Sequence, residues 1–186
     1  MMYSIHNLKK DYMNGEKFEY LLFWGHRPSP KGNITSSCFS QWWKCEFVVE
    51  NQKYSSMEQY MMAEKARLFK DEEVLQEILN IDDPGRIKSL GRKVKKFDEV
   101  LWDENKHNIV LKGNIAKFSQ NEELKIFLLS TKNKILVEAS PYDRIWGIGL
   151  AKEDKNVTNP LLWKGENLLG FILMEVREEL KRFEMQ

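Results

Sequence analysis

Apolar residues recur along this chain in two spacings, one typical of short strands and the other of amphipathic helices. Runs of aliphatic and aromatic residues predict strands over 18–24, 45–50 and 135–139. Apolar residues three and four positions apart predict helices over 55–69, 71–79, 83–91, 98–116, 121–130 and 166–183. Because the strands do not alternate regularly with the helices, the pattern predicts one compact α+β domain over residues 1–186, mostly helical with a few short strands.

Three of the predicted helices begin at local signals. Ser55 and Glu58 match a capping box for the helix over 55–69. Asp71 is suited to cap the next helix, and Asp83 followed by Pro84 is a typical start for the third.

Composition and charge narrow the class of protein. Hydrophobic residues make up 42% of the chain and charged residues 31%, as in globular proteins with their own core. The net charge of +1 disfavours a general nucleic-acid coat protein but allows a local basic patch. Cys38 and Cys45 form neither a disulfide framework nor a zinc site. Since the chain shows no signal peptide and no run long enough to span a membrane, we expect a cytoplasmic protein with no membrane partner.

Glu58 is the first candidate for chemistry. It falls in the first turn of a predicted helix, where the positive end of the helix dipole favours an ionised carboxylate. Such a carboxylate can orient water or stabilise an oxocarbenium ion. Lys65 lies two turns later on the same helix face. The alternative is that Glu58 serves only as the capping partner of Ser55.

Aromatic residues form 12% of the chain, with six Trp among them. Trp24 and His26 lie in the motif FWGH, Trp42 in FSQWW, Trp102 in a predicted helix and Trp146 in WGIG. Each Trp ring can stack on a flat ligand or fill the core, and His26 can be catalytic or structural. The residues alone leave both interpretations open.

Cations and one further carboxylate complete the candidates. Segment 86–96 holds six cations, Arg92 among them, and Lys117 adds another; they can bind phosphates or form a solvated face. Asp143 precedes a Trp-Gly segment, where it can bind sugar hydroxyls, donate a proton or cap a turn. The sequence contains no P-loop, dinucleotide-binding, zinc-protease or serine-hydrolase motif. These residues suit a phosphorylated heterocyclic ligand.

Eight motifs follow one another over nearly the whole chain. They are FWGH at 23–26, FSQWW at 39–43, YSSMEQYMMAEKARLF at 54–69, LGRKV at 90–94, the isolated Trp102, KFSQN at 117–121, LVEASPYDRIWGIGL at 136–150 and GENLLGFILMEVREEL at 165–180. In this order they resemble the NADAR family, which includes the YbiA-like N-glycosidases. The resemblance implies a compact, mostly helical α+β fold, hydrolysis of a bond between ribose and a nitrogen, and no metal or organic cofactor.

The resemblance also implies a site. It places the catalytic residues of the family on Glu58, Trp102 and Asp143. It places ligand contacts on Trp24, Gly25, His26, Ser40, Gln41, Trp42, Lys65, Arg92 and Trp146. Gln41 stands where many family members have Asn.

Three functions are compatible with this resemblance. The first is hydrolysis of phosphoribosylamino-pyrimidines, which are intermediates of riboflavin biosynthesis, so that the partner is a small phosphorylated ribosyl compound. The second is removal of ADP-ribose from guanine bases, with ADP-ribosylated nucleic acid as the partner. The third is a non-catalytic module that binds ADP-ribose or NAD, which the presence of Glu58 and Asp143 disfavours.

Overall fold

The structure of the protein is a computed structural model that describes residues 3–184. Within this range the chain forms seven α-helices and four short strands. The helices are α1 (Ile5–Met13), α2 (Met57–Leu68), α3 (Glu72–Leu79), α4 (Pro84–Gly91), α5 (Glu99–Gln120), α6 (Glu122–Ser130) and α7 (Leu168–Glu184). The strands are β1 (Tyr20–Phe23), β2 (Lys44–Val49), β3 (Gln52–Ser56) and β4 (Ile135–Glu138). The predicted α+β class, mostly helical, is confirmed.

The chain divides into two compact units. The terminal unit comprises the residues up to Ser40 and those from Glu123 onward, and the central unit comprises Gln41–Glu122. The prediction of a single domain over residues 1–186 stays a prediction.

In the terminal unit, β1 and β4 form a parallel pair, with Tyr20 opposite Ile135 and Phe23 opposite Glu138. Helix α7 packs on β4, and its residues 168–177 are all buried. Since the two strands are parallel, their carboxyl ends meet at one edge of the sheet, and the loops that follow them leave side by side.

The central unit is built around α2. Strands β2 and β3 form an antiparallel hairpin, whose turn places Glu50 and Asn51 at positive φ, as a tight hairpin turn requires. Helix α2 follows β3 directly and packs against α3, α4 and α5. A Cβ atom at Gly113 of α5 would lie 2.4 Å from the ring of Tyr60, so this glycine permits the close approach of α2 and α5.

All six predicted helices are present, with ends that differ by a few residues. Asp71 and Asp83 cap α3 and α4 as predicted, since a carboxylate oxygen of each accepts a backbone N–H three residues on. The sequence analysis missed α1 and β3.

The predicted capping box of Ser55 and Glu58 is wrong by one residue. Ser56 is the cap of α2, and its Oγ accepts the N–H of Gln59 at 3.2 Å. Gln59 Oε1 in turn accepts the N–H of Ser55 at 2.7 Å. Strand β3 extends through Ser56, which pairs with Lys44, and this pairing delays the start of the helix to Met57.

Candidate functional site

Glu58 lies buried in the first turn of α2, with only 3% of its surface exposed. Its backbone N–H donates to the carbonyl oxygen of Gln41 at 2.8 Å. Because Gln59 fills the capping position, Glu58 is not the capping partner of Ser55. The structure thereby removes the interpretation in which this carboxylate serves only to cap the helix.

The side chain of Gln41 contacts α2 one turn beyond Glu58. Its side chain is 7% exposed, and its Nε2 lies 3.3 Å from the sulfur of Met61, one turn beyond Glu58. Gln41 Oε1 is buried and accepts no hydrogen bond from any residue between 3 and 184. Burying an amide oxygen without a partner costs about 1–3 kcal/mol, so such an atom is a candidate ligand contact.

Lys65 is held at the other end of the same face of α2. Its Nζ donates to the carbonyl oxygen of Gly91 at 2.9 Å and lies 4.2 Å from the ring centroid of Phe97 and 5.7 Å from that of Trp102. Burial lowers the pKa of the Lys65 ammonium. Within residues 3–184 no carboxylate lies within 4 Å of this ammonium, so its charge is available to an anionic ligand.

Lys65, a predicted ligand contact, and Trp102, a predicted catalytic residue, therefore lie close together near Gly91. Arg92 is the next residue in the chain and its side chain is exposed, while Trp102 is half-buried on α5. Phe97, which the sequence analysis missed, adds a second ring. Lys65 combines one cation with two aromatic faces, and Arg92 adds an exposed cation next to Gly91 in the chain; such groups suit a phosphorylated heterocycle.

Trp42 is also half-buried in the central unit. Its ring lies 5.9 Å from Nζ of Lys88 and beside Gly85 in the first turn of α4. The Trp ring therefore keeps part of its surface open, whereas the neighbouring Trp43 is 8% exposed and belongs to the core.

The remaining predicted residues lie in the terminal unit, where the loops after β1 and β4 leave the sheet. Trp24 directly follows β1 and is 55% exposed, and His26 is exposed as well. Gly25 adopts φ +78°, which favours glycine. Ser40 follows a 3-10 turn over Ser36–Phe39 that packs against β1.

Asp143 anchors the loop that follows β4. Its Oδ1 accepts the N–H of Ile145 at 2.9 Å and the N–H of Trp146 at 2.7 Å. The turn-capping interpretation thus holds for this oxygen. The other oxygen, Oδ2, has no hydrogen bond among the described residues, and it can still contact a ligand. Trp146 is half-buried.

Asn114 is a buried polar residue that the sequence analysis missed. It lies on α5 with no exposed surface, and its Oδ1 has no hydrogen-bond partner between residues 3 and 184. Lys117, one turn further, is equally buried. Asn114 and Lys117 are spaced along α5 so that they share a helix face with the apolar Val110 and Phe118. This spacing was the signal in the sequence that could have indicated their burial.

Within the described part of the chain there is neither a metal-binding cluster nor a membrane-spanning helix. Residues 3–184 contain no group of three His, Cys, Asp or Glu side chains that could hold a metal ion. None of the helices in that range has the length and apolar character needed to cross a membrane.

Sequence relatives identify the class of protein. The chain is 43% identical over 169 residues to an N-glycosidase of Acanthamoeba polyphaga mimivirus. The aligned region covers 88% of this chain and 98% of that protein. The chain is 33% identical over 144 residues to N-glycosidase YbiA of Escherichia coli (strain K12), covering 77% of this chain and 79% of YbiA. The prediction of an N-glycosyl hydrolase is confirmed at the level of the class.

The family follows from a domain model and a solved structure. The NADAR domain model matches residues 22–181. The NMR structure of the E. coli protein YbiA matches with a TM-score of 0.73 at 27% identity, covering 92% of this chain and 90% of that chain. The chain belongs to the NADAR domain family. The roles of its individual residues stay predictions.

Proposed function

We propose that this protein hydrolyses the N-glycosidic bond of a phosphoribosylamino-pyrimidine, an intermediate of riboflavin biosynthesis. The observation that carries the proposal is the start of α2, where Glu58 is buried outside the capping box and its backbone N–H bonds to Gln41, whose side-chain oxygen has no partner among the described residues. A protein buries a carboxylate at a cost, and such groups concentrate at functional sites.

The reaction replaces the bond between ribose C1 and nitrogen with a bond between C1 and a water oxygen. As the C1–N bond breaks, the sugar gains positive charge, which the Glu58 carboxylate stabilises. The same carboxylate accepts a proton from the attacking water. The leaving nitrogen takes a proton and departs as an amine. Gln41 Oε1 accepts a hydrogen bond from a substrate hydroxyl or amine.

The group around Gly91 supports the phosphate and base ends of such a substrate. Lys65 and Arg92 provide cations without ion-pair partners among the described residues. Trp102 provides a half-buried ring for stacking. The role of Asp143 as proton donor to the leaving nitrogen stays a prediction, and so does the cytoplasmic location.

Exposed cations favour a second candidate, removal of ADP-ribose from guanine in nucleic acid. Arg86, Lys93 and Lys96 are exposed and form no ion pair within residues 3–184. A larger polyanionic substrate would neutralise them. The third candidate, a module that binds ADP-ribose or NAD without cleaving it, predicts binding with no products.

Mass spectrometry of the products separates these candidates. Wild-type protein is incubated with a phosphoribosylamino-pyrimidine and, separately, with an oligonucleotide that carries ADP-ribosyl-guanine. We expect free ribose 5-phosphate and a released amine from the first substrate. Glu58→Gln should yield neither, while Glu64→Gln, on the same helix but paired with Arg67, should yield both. Turnover of the oligonucleotide alone would transfer the proposal to the second candidate.

A further inference from the structure

We propose that Trp24 and Tyr142 form a stacking platform for a nucleobase that carries a phosphate. Their ring centroids lie 6.5 Å apart and their planes are inclined by 51°. Tyr142 is 87% exposed, so most of its ring surface is covered neither by Trp24 nor by the core. Tyr142 is not among the residues that the family resemblance assigns to the site.

The two rings stand on a rigid base, the carboxyl ends of the paired strands β1 and β4. Trp24 is the first residue after β1, and the N–H of Ala139, directly after β4, donates to the carbonyl oxygen of Phe23 at 2.9 Å. The N–H of Asp143 donates to Ser140 Oγ at 3.2 Å, which closes the turn that carries Tyr142. The backbone that carries the rings is therefore fixed by these hydrogen bonds, which lowers the entropic cost of ordering the two loops on binding.

Two exposed arginines lie near the platform rings along the chain, and Glu138, opposite Phe23, and Asp143 are carboxylates of the same segments. Residues 20–45 contain no Asp or Glu. Arg27 and Arg144 lie three residues or fewer along the chain from a platform ring, are exposed, and form no ion pair with the described residues. The nearby Asp143 directs Oδ1 at backbone N–H groups. Guanidinium groups bind phosphate with two donors, and aromatic faces accept any base.

Exposed aromatic rings with two arginines nearby in the chain match a nucleotide in chemistry. The proposal goes beyond the proposed function, because it adds a nucleotide site on the terminal unit that the hydrolysis at Glu58 does not require. Two sources share this chemistry, a single nucleotide and a nucleotide within a strand. Adenosine 5′-monophosphate and a dinucleotide represent these sources as probes, and ribose 5-phosphate is the probe that lacks a base.

Isothermal titration calorimetry with the three probes tests the platform in the Glu58→Gln background, which is expected not to consume them. Tyr142→Ala should bind a base-containing probe about 5- to 150-fold more weakly, as for loss of one base–aromatic stack. Its affinity for ribose 5-phosphate should not change, and Tyr142→Phe should restore binding of the base. Loss confined to the dinucleotide would identify a strand as the source, and loss for both probes a single nucleotide.

Phe183→Ala is the matched control, since Phe183 is an exposed ring on α7 outside the platform. If the Glu58→Gln protein binds both base-containing probes equally well with and without Tyr142→Ala, the platform is overturned. An equal loss of affinity in Phe183→Ala would overturn it as well. If wild-type protein hydrolyses no substrate in the product assay, the proposed function fails while this comparison of affinities stays readable.

Discussion

The residues expected to form the site lie in two contrasting settings. At the start of α2 in the central unit, Glu58 and Gln41 are almost fully buried. At the edge formed by β1 and β4 in the terminal unit, Trp24 and His26 are exposed, and Asp143 is bound through one oxygen to backbone N–H groups. A buried carboxylate is costly and suits the chemical step, whereas exposed rings cost little and suit contact with a ligand. Under the proposed function, bond cleavage therefore belongs to the buried setting at the start of α2.

The largest effect is expected from Glu58→Gln. The change keeps the size of the side chain and removes its charge, so activity should fall at least about 100-fold while the melting temperature changes little. Gln59→Ala provides the opposite case, because Gln59 bonds to Ser55 and to the carbonyl oxygens of Ile78 and Ile81. It should lower the melting temperature and retain activity in the folded fraction. Near wild-type turnover by Glu58→Gln would reject the role of its charge.

Two substitutions at Asp143 separate its role in holding the loop through Oδ1 from a role in catalysis. Asp143→Asn keeps an Oδ1 acceptor for the N–H groups of Ile145 and Trp146, so the loop should stay folded. If Asp143 donates a proton to the leaving nitrogen, the rate should still fall about 100-fold. Asp143→Ala should lower both the rate and the melting temperature, since both N–H bonds are lost. A fully active Asp143→Asn would restrict Asp143 to holding the loop.

Features that depend on neighbouring residues could be predicted from the sequence, and features that depend on distant pairing could not. The caps of α3 and α4 are local, so Asp71 and Asp83 could be identified correctly. The segment SSMEQ fits a capping box in two registers, and the pairing of Ser56 with Lys44 in the hairpin selects the second. No local pattern could make that choice.

The sequence also could not show that Trp24 and Asp143 lie in loops at the same edge of a sheet. Strands β1 and β4 pair although more than a hundred residues separate them, and this pairing places the loops of Trp24 and Asp143 side by side. The motifs supplied the residue identities through the family resemblance. The burial of Asn114 and Lys117 on α5 depends on the packing of α2 against α5, which a single helix pattern does not reveal.

A smaller effect is expected at Trp102. Trp102→Ala removes one stacking face, which is worth about 1–3 kcal/mol, or about 5- to 150-fold in activity, and Trp102→Phe should retain part of that activity. Because Trp102 is only half-buried, the Ala variant should stay folded. Trp163→Ala is the contrast, since Trp163 is buried and donates through Nε1 to Val157, and this variant should lose stability. A large drop in melting temperature with normal specific activity for Trp102→Ala would make Trp102 a core residue.

The smallest effect concerns the pH dependence of Lys65. Burial lowers the pKa of its ammonium, so the cation is lost at lower pH than for an exposed lysine. The alkaline limb of kcat/KM should lie correspondingly low, and Lys65→Arg should move it upward, because arginine keeps its charge. Lys70→Arg, at an exposed site, should leave the limb in place. An unchanged limb in Lys65→Arg would separate Lys65 from substrate binding.

The same lowered pKa affects stability with a defined sign. The unfolded chain holds the Lys65 proton more tightly than the folded chain does, so the free energy of unfolding should rise with pH between the two pKa values. Burial raises the pKa of Tyr20 to about 12, which gives wild type an opposite slope in the same alkaline range, so the test is the difference between wild type and Lys65→Met. Denaturant titrations should show the stability of wild type rising relative to that of Lys65→Met across this window. A relative fall would contradict the burial of the ammonium.

An NMR titration with ribose 5-phosphate tests most directly whether the start of α2 is where the N-glycoside reacts. Gln41 has a side-chain amide whose signals report on its buried oxygen, and Glu58 has a backbone N–H bonded to Gln41. We expect the signals of both residues to shift on saturation, and those of Glu64, further along α2, to stay in place. Saturable binding that leaves the Gln41 and Glu58 signals unchanged would contradict the assignment of bond cleavage to this site.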